Sequence, residues 1–214
     1  DCDGCLIDSE HIACALGARL LTEAGYAIST DSFIRRFCGQ GKAHIFKSIL
    51  DECGVDYLPI IEATNKKELQ REAFRLHLKA IDHIHETLDQ ITLPMAIASG
   101  SEYDRLEYTL QLTDLYDRFK EKIFSSSLVE HGKPSPDIFL YVARQLNANH
   151  EKCLAIEDSL NGAKAAKAAG MTVFGFTGSS HILDKQKHRE ELLTLGVDIV
   201  LDDMRELPTL IKNS

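Results

Sequence analysis

The stretch that decides the fold is "CLAIEDSLNGAKAAKAAGMTVFGF", residues 153–176. It begins in "KCLAI" (Lys152–Ile156), a short apolar run of strand length. An acidic pair, Glu157-Asp158, follows. Leu160–Ala169 then reads as a helix, and "MTVFGF" (Met171–Phe176) reads as a second buried strand. Strand, helix and strand in succession build a parallel sheet, because a parallel neighbour can only be reached through a long crossover.

The same alternation extends on both sides. "PMAIAS" (Pro94–Ser99), "KIFSS" (Lys122–Ser126) and "VDIVL" (Val197–Leu201) read as strands. Tyr103–Leu112, Asp137–Leu146 and Lys187–Leu195 read as the helices between them. This predicts an α/β fold, a Rossmann-like core whose parallel sheet is flanked by helices on both faces.

Before about residue 81 the character differs. Ser9–Gly25 has Ile12, Leu16, Leu20 and Leu21 near helical spacing, with Gly25 as a stop. Asp31–Phe37 is a second helical piece. Lys42–Cys53 is a third, with Ile45, Phe46, Ile49 and Leu50 on one face. A single long helix is expected after Pro59, through "IEATNKKELQREAFRLHLKAI". No strand interrupts this block. The reading is an α/β core over 1–10 and 80–214 with a helical domain inserted over 11–79.

The formal net charge is −9 and the basic residues are scattered, which argues against a nucleic-acid partner. No apolar run approaches the roughly 18 residues of a membrane span. An acidic protein that handles an anionic small molecule must neutralise it locally, with a metal ion or a few placed lysines. Cys2 and Cys5 form a C-x-x-C, which could serve redox chemistry or half a zinc site. No second such pair and no histidine pair at zinc-finger spacing accompanies it. The expectation is six reduced thiols in a cytoplasmic protein.

In an open α/β sheet, ligands bind beyond the carboxyl ends of the strands. The segments at those ends are Ser99-Gly100-Ser101, "GKPSPD" (Gly132–Asp137) and "EDSLNG" (Glu157–Gly162), and "DCDG" (Asp1–Gly4) has the same character. A strand should precede Asp1, so the sequence is expected to begin a few residues inside the natural chain. Each segment also has an ordinary reading. Asp1 and Asp3 suit a turn. Glu157-Asp158-Ser159 suits a helix N-cap. Lys133 suits a solvated loop. The functional reading rests on all of them meeting at one edge.

Taken together, these segments resemble the motifs of the haloacid dehalogenase superfamily, in the family's order. "DCDGCLIDSE" matches the first motif, Ser99 in "IASGS" the second, Lys133 in "GKPSPDIF" the third, and Glu157-Asp158 in "IEDSLNG" the fourth. The helical insertion and "EDSLNGAKAAKAAGM" resemble the branch that holds β-phosphoglucomutase and small sugar-phosphate phosphatases, 6-phosphogluconate phosphatases among them.

The resemblance implies Mg²⁺ as cofactor. It implies Asp1 as the nucleophile that becomes a phospho-aspartate, and Asp3 as general acid and base, with its backbone carbonyl on the metal. Asp1, Asp3, Glu157 and Asp158 form the implied metal set. Ser99, Gly100 and Lys133 form the implied phosphate site. The inserted helices become a mobile cap, and Lys42 in "FCGQGKAHIF" (Phe37–Phe46) becomes the cap's substrate contact. "GQGK" is not a P-loop, because Arg36 stands at the earlier glycine and Ala43 replaces the Ser or Thr. Arg35 and Arg36 read as a solvated helix face, and His83 and His85 as a solvated hinge rather than a metal pair.

Asp3 favours a phosphate substrate over a haloacid. The cap histidine of the mutases aligns with Ala13, with His11 two residues earlier, which favours hydrolysis. The expected function is therefore a Mg²⁺-dependent phosphatase of small phosphorylated metabolites, such as sugar or sugar-acid phosphates. The expected state is a monomer or weak dimer, with no nucleic-acid or membrane partner. The alternatives are a hexose-phosphate mutase and a non-catalytic regulator that binds a phosphometabolite.

Overall fold

The computed structural model describes residues 1–213. They form two compact units: Ser9–Leu78, and Asp1–Asp8 together with the chain from Lys79 onward. The chain leaves the second unit and returns to it side by side. Ile7 bridges to Ala80, and the Asp8 amide donates to Lys79 O at 2.9 Å.

The unit Ser9–Leu78 is helical. Its elements are α1 (Glu10–Glu23), α2 (Thr30–Phe37), α3 (Lys42–Cys53), α4 (Leu58–Glu62) and α5 (Lys66–His77). Ser29 caps α2, its hydroxyl accepting the Ser32 amide at 3.2 Å. Leu16, Leu20 and Leu21 of α1 pack with Phe33, Ile34 and Phe37 of α2 and with Ile49, Tyr57 and Ile61. Gly17 permits the approach of α2: a Cβ there would stand 2.7 Å from the Phe33 ring. Phe33 and Phe37 then meet edge to face, their centroids 5.4 Å apart.

The long helix expected after Pro59 is instead two, α4 and α5. The break has a local cause. The Thr64 amide and hydroxyl both bond Ile61 O, at 3.1 and 2.6 Å, which closes a tight turn rather than extending the helix.

The second unit is α/β. Its helices are α6 (Ile84–Asp89), α7 (Tyr103–Leu112), α8 (Tyr116–Phe119), α9 (Asp137–Gln145), α10 (Leu160–Ala168), α11 (Lys185–Thr194) and α12 (Leu207–Asn213). Its strands are β1 (Ile97–Ser99), β2 (Ile123–Ser125), β3 (Leu154–Glu157), β4 (Thr172–Phe176) and β5 (Ile199–Leu201). All pairings are parallel, as expected, but the strands divide into two sheets, β1-β2 and β3-β4-β5. An apolar cavity of about 610 Å³ is lined by residues of both β1 and β3, among them Ala98 and Ala155. The alanines of α10 have a packing role. Ala163, Ala165 and Ala166 are fully buried, and their small side chains let the helix lie close on β3 and β4. Among the described residues, no helix is long and apolar enough to cross a membrane.

Candidate active site

The opening segment is a tight loop. Cys2 O accepts the amides of Cys5, Leu6 and Ile7 at 3.2, 2.8 and 3.2 Å. Gly4 sits at φ +80°, and a Cβ on it would lie 1.9 Å from Asp158 Oδ2. Glycine is therefore required there twice, by the turn and by the acid pressed against it. The Asp1 backbone nitrogen donates to Ile156 O at 2.8 Å, which holds the residue against β3.

Lys133 ties the site together. Its ammonium donates to Asp1 Oδ1 at 2.9 Å, to Glu157 Oε1 at 2.6 Å and to Ala98 O at 2.9 Å. An ammonium has three donors, and all three are engaged. Glu157 is fully buried, and Asp158 nearly so. A Cβ on Gly162, in α10, would meet Glu157 Oε2 at 1.9 Å, so this acid too is closed in by a glycine. Asp158 has His181 Nε2 at 3.3 Å from Oδ2, while its carbonyl faces His188 Nε2 at 2.6 Å.

The Asp3 carboxylate turns to a different set of partners. Arg105 Nη2 donates to Oδ1 at 2.7 Å, and the Ser101 hydroxyl donates to Oδ2 at 2.6 Å. Ser99 is buried at the end of β1, and its hydroxyl accepts the Ser101 amide at 3.1 Å. Ser125 and Ser126 donate to the Ser101 and Gly100 carbonyls at 2.7 and 3.1 Å. The end of β2 thus fixes the 99–101 loop. A Cβ on Gly100 would meet nothing within 4 Å, so its glycine is not a packing requirement.

Carboxylate oxygens of Asp1, Glu157 and Asp158 lie within 4.8 Å of one another. The Asp3 carboxylate does not join that group. Four acidic side chains (Asp1, Asp3, Glu157, Asp158) share the site with two permanent cations, Lys133 and Arg105. With all four ionised, before Asp3 takes up a proton, the balance leaves two negative charges in a largely buried place, which favours a counterion of charge two. An all-oxygen donor set suits a hard cation of the magnesium class. The residues present therefore fit that ion.

Asp1, Asp3, Ser99, Gly100, Lys133, Glu157 and Asp158 all belong to the α/β unit and are linked by the contacts above. Lys42 belongs to the helical unit, at the start of α3, where its ammonium pairs with Glu62 at 2.5 Å. The apolar cavity is a separate feature, since Asp1 alone among these seven lines it. Sequence reasoning missed Arg105, Ser101, His181, His188 and the closure of Glu157 by Gly162. The one signal at hand was a serine and an arginine shortly after the second motif.

The C-x-x-C lacks the electropositive, exposed setting of a redox pair. Burial, reinforced by Asp3, pushes the Cys2 thiol far up, and burial with Asp158 does the same to Cys5. Such thiols stay protonated and inert. Among the described residues no disulfide joins any cysteines. His83 opens α6 with φ 64°, and its Nδ1 lies 2.5 Å from Glu86 Oε1. Among the described residues, neither His83 nor His85 joins a metal-ligating cluster.

Parallel strands whose carboxyl ends gather acids around a single lysine, with a helical insertion after the first acidic loop, define an α/β protein with a charged site suited to a cation and an anionic ligand. Known proteins specify the class further. A model of the haloacid dehalogenase-like hydrolases matches residues 1–176, and the chain belongs to that family. The 6-phosphogluconate phosphatase of Escherichia coli strain K12 is 30% identical over 182 residues, spanning 85% of this chain and 82% of its own. A haloacid dehalogenase-like protein of unknown function from Agrobacterium tumefaciens superposes with TM-score 0.89 at 35% identity, over 100% of this chain and 96% of that one. A family hydrolase from Deinococcus radiodurans, solved with bound phosphate and sodium, gives 0.81 at 29% identity, over 100% and 93%. The protein is a phosphoric monoester hydrolase of this family.

Proposed function

We propose that the protein is a Mg²⁺-dependent phosphatase of small phosphorylated metabolites, of the sugar-phosphate or sugar-acid-phosphate class, acting through a phospho-aspartate on Asp1. The observation that carries this reading is the convergence of Asp1, Glu157 and Asp158 around Lys133, with an excess of negative charge. Support for the substrate class comes from the 6-phosphogluconate phosphatase of E. coli and from a phosphorylated carbohydrates phosphatase of Thermotoga maritima, 27% identical over 80% of both chains.

Asp1, Glu157 and Asp158 would hold the ion. When bound, it supplies charge neutralisation between the acids and the phosphoryl oxygens.

Lys133 takes one oxygen of Asp1 and so fixes the plane of the carboxylate, which aims the other oxygen. In the first step Asp1 forms an O–P bond, the ester P–O bond breaks, and the leaving oxygen takes a proton from Asp3. In the second step Asp3 takes a proton from water, the water oxygen bonds phosphorus, and the Asp1–phosphorus bond breaks. Asp3 ends as it began, so the cycle balances. Arg105 and Ser101 keep Asp3 in place through both steps. The Ser99 hydroxyl and the amides near Gly100 bind phosphoryl oxygens. Lys42 reads the leaving group from the helical insertion, which acts as a cap. Six free cysteines fit a reducing compartment such as the cytoplasm.

The test is phosphate release from a panel of phosphorylated metabolites, 6-phosphogluconate included, with and without Mg²⁺. Asp1→Asn should abolish turnover while leaving the unfolding temperature near that of the parent. Full activity in Asp1→Asn would end the assignment.

A further inference from the structure

We infer that the helical unit carries a second metal site of different chemistry, formed by Glu10, Cys14 and Cys38 and suited to a thiophilic divalent cation of the zinc class. Glu10 and Cys14 stand one turn apart on the same face of α1. Cys38 ends α2, with φ −58° and ψ 134° turning the chain out of the helix. The packing of α1 on α2 brings the three together. One ligand atom from each lies within 4.8 Å of the other two.

The spacing can be judged against what one tetrahedral ion requires. With metal–sulfur and metal–oxygen bonds of about 2.3 and 2.0 Å, a ligating sulfur and oxygen sit about 3.5 Å apart. Cys38 Sγ and Glu10 Oε2 stand 3.6 Å apart. Two ligating sulfurs would sit about 3.8 Å apart. The 4.8 Å bound on the cluster therefore leaves a closure of at most about 1.0 Å between the sulfurs and about 1.3 Å between Cys14 and Glu10, within the reach of side-chain rotation.

Donor chemistry separates this site from the acidic one. Two sulfurs and one carboxylate form a soft set that disfavours magnesium and favours zinc, cadmium or cobalt. Three protein ligands leave a fourth position for water. Cys14 is buried in the helical core, while Glu10 and Cys38 are half-buried, which gives an ion a route from solvent. Without metal, the Cys38 thiol donates to the Glu10 carboxylate. Binding replaces thiol protons by the cation, so affinity rises with pH. The ion would join the first turn of α1 to the end of α2, at the root of the Gly39–Gly41 loop that leads into Lys42. None of this depends on the hydrolase reading.

The test is a Co²⁺ titration of metal-stripped protein, kept reduced by a phosphine and supplied with excess Mg²⁺ for the oxygen sites. The expected result is a thiolate-to-cobalt charge-transfer band that saturates at one equivalent and is bleached by one equivalent of Zn²⁺. Cys38→Ser and Cys14→Ala should each remove it, and Glu10→Gln should weaken binding. Cys53→Ser and Asp158→Asn should leave it unchanged. Cys38 is only half-buried, so Cys38→Ser keeps the core and serves where Cys14→Ala fails to fold. No band at one equivalent, or a band that survives in Cys38→Ser, would overturn the proposal.

Discussion

Lys133→Met isolates the group on which the acidic site depends. Methionine keeps most of the length and apolar stem of the lysine and deletes the ammonium, together with its contact over the Phe139 ring, 5.1 Å from the centroid. That ammonium meets two carboxylates and a carbonyl within 2.9 Å, and its side chain is 9% exposed. Its removal leaves Glu157, with no exposed side-chain surface, as a buried carboxylate without a cation. Breaking such a pair from one side costs about 3–5 kcal/mol. At about 2–4 °C per kcal/mol for a protein of this size, the unfolding temperature measured in EDTA should fall by roughly 6–20 °C. Adding Glu157→Gln to Lys133→Met should recover a large part of the loss, because the orphaned charge is gone. The double-mutant cycle should show a coupling of about 2–3 kcal/mol. On the proposed role of Asp1 as nucleophile, phosphate release should fall at least about 100-fold in Lys133→Met, since a preorganised cation beside Asp1 is lost. If the single variant unfolds within about 1 kcal/mol of the parent and Glu157→Gln rescues nothing, the lysine does not balance those acids and the charge argument fails.

Three further outcomes follow from the same contacts. Gly162→Ala lies inside a helix, where alanine ordinarily adds about 1 kcal/mol. Here the new Cβ would stand 1.9 Å from an immobile Glu157 carboxylate, so chemical denaturation should show a net loss of about 1–3 kcal/mol. Arg105→Ala should lower kcat about 10- to 100-fold with little change in KM, because Arg105 holds Asp3 rather than the nucleophile; Arg105→Lys, lacking the planar fork, should recover part of it. Asp203 has its carboxyl held down to about 2 by the Arg205 side chain. A depressed carboxyl contributes stability that is fully present above its unfolded value of about 4 and is lost as pH falls toward 2, so Asp203→Asn should be less stable than the parent at pH 7, with the difference closing across that window and gone near pH 2.

Much of this was legible from local pattern. Each strand showed as an apolar run, but each run began too early, and Lys152–Ile156 also stopped short of Glu157, where β3 ends. Pro94–Ser99 shrinks to Ile97–Ser99 because only those residues face Ile123–Ser125 across the ladder. The partner sets a strand's ends, and the partner is not local. The six-residue α6 was missed because His83, its N-cap, and His85, within it, read as a solvated hinge. In the site, the acids and Lys133 sit directly at strand ends and follow a recognisable order. Arg105 stands inside a helix with no local mark, and its meaning arises only from an Asp3 carboxylate 102 residues away. His181 and His188 are likewise ordinary loop and helix residues until Asp158 is placed beside them.

The glycines that end the acidic motifs show how the separate segments specify one another. Glu157 and Asp158 are consecutive where β3 ends, so their side chains diverge. Glu157 meets Lys133 and is closed over by Gly162, five residues further along its own segment. Asp158 meets His181 and is closed over by Gly4 of the first acidic loop. At both positions the would-be Cβ falls within 1.9 Å of a carboxylate oxygen, so any side chain would have to displace an acid. Gly4 also lies at positive φ, whereas Gly162 lies in an ordinary helix and its need is purely steric. A turn can explain "DCDG" by itself, and a helix N-cap can explain "EDSLNG" by itself. Neither explains why the glycine of the first and the aspartate of the second occupy one another's space. That mutual fit across 154 residues is a property of the assembled site, and it is why the motifs carry meaning together that each lacks alone.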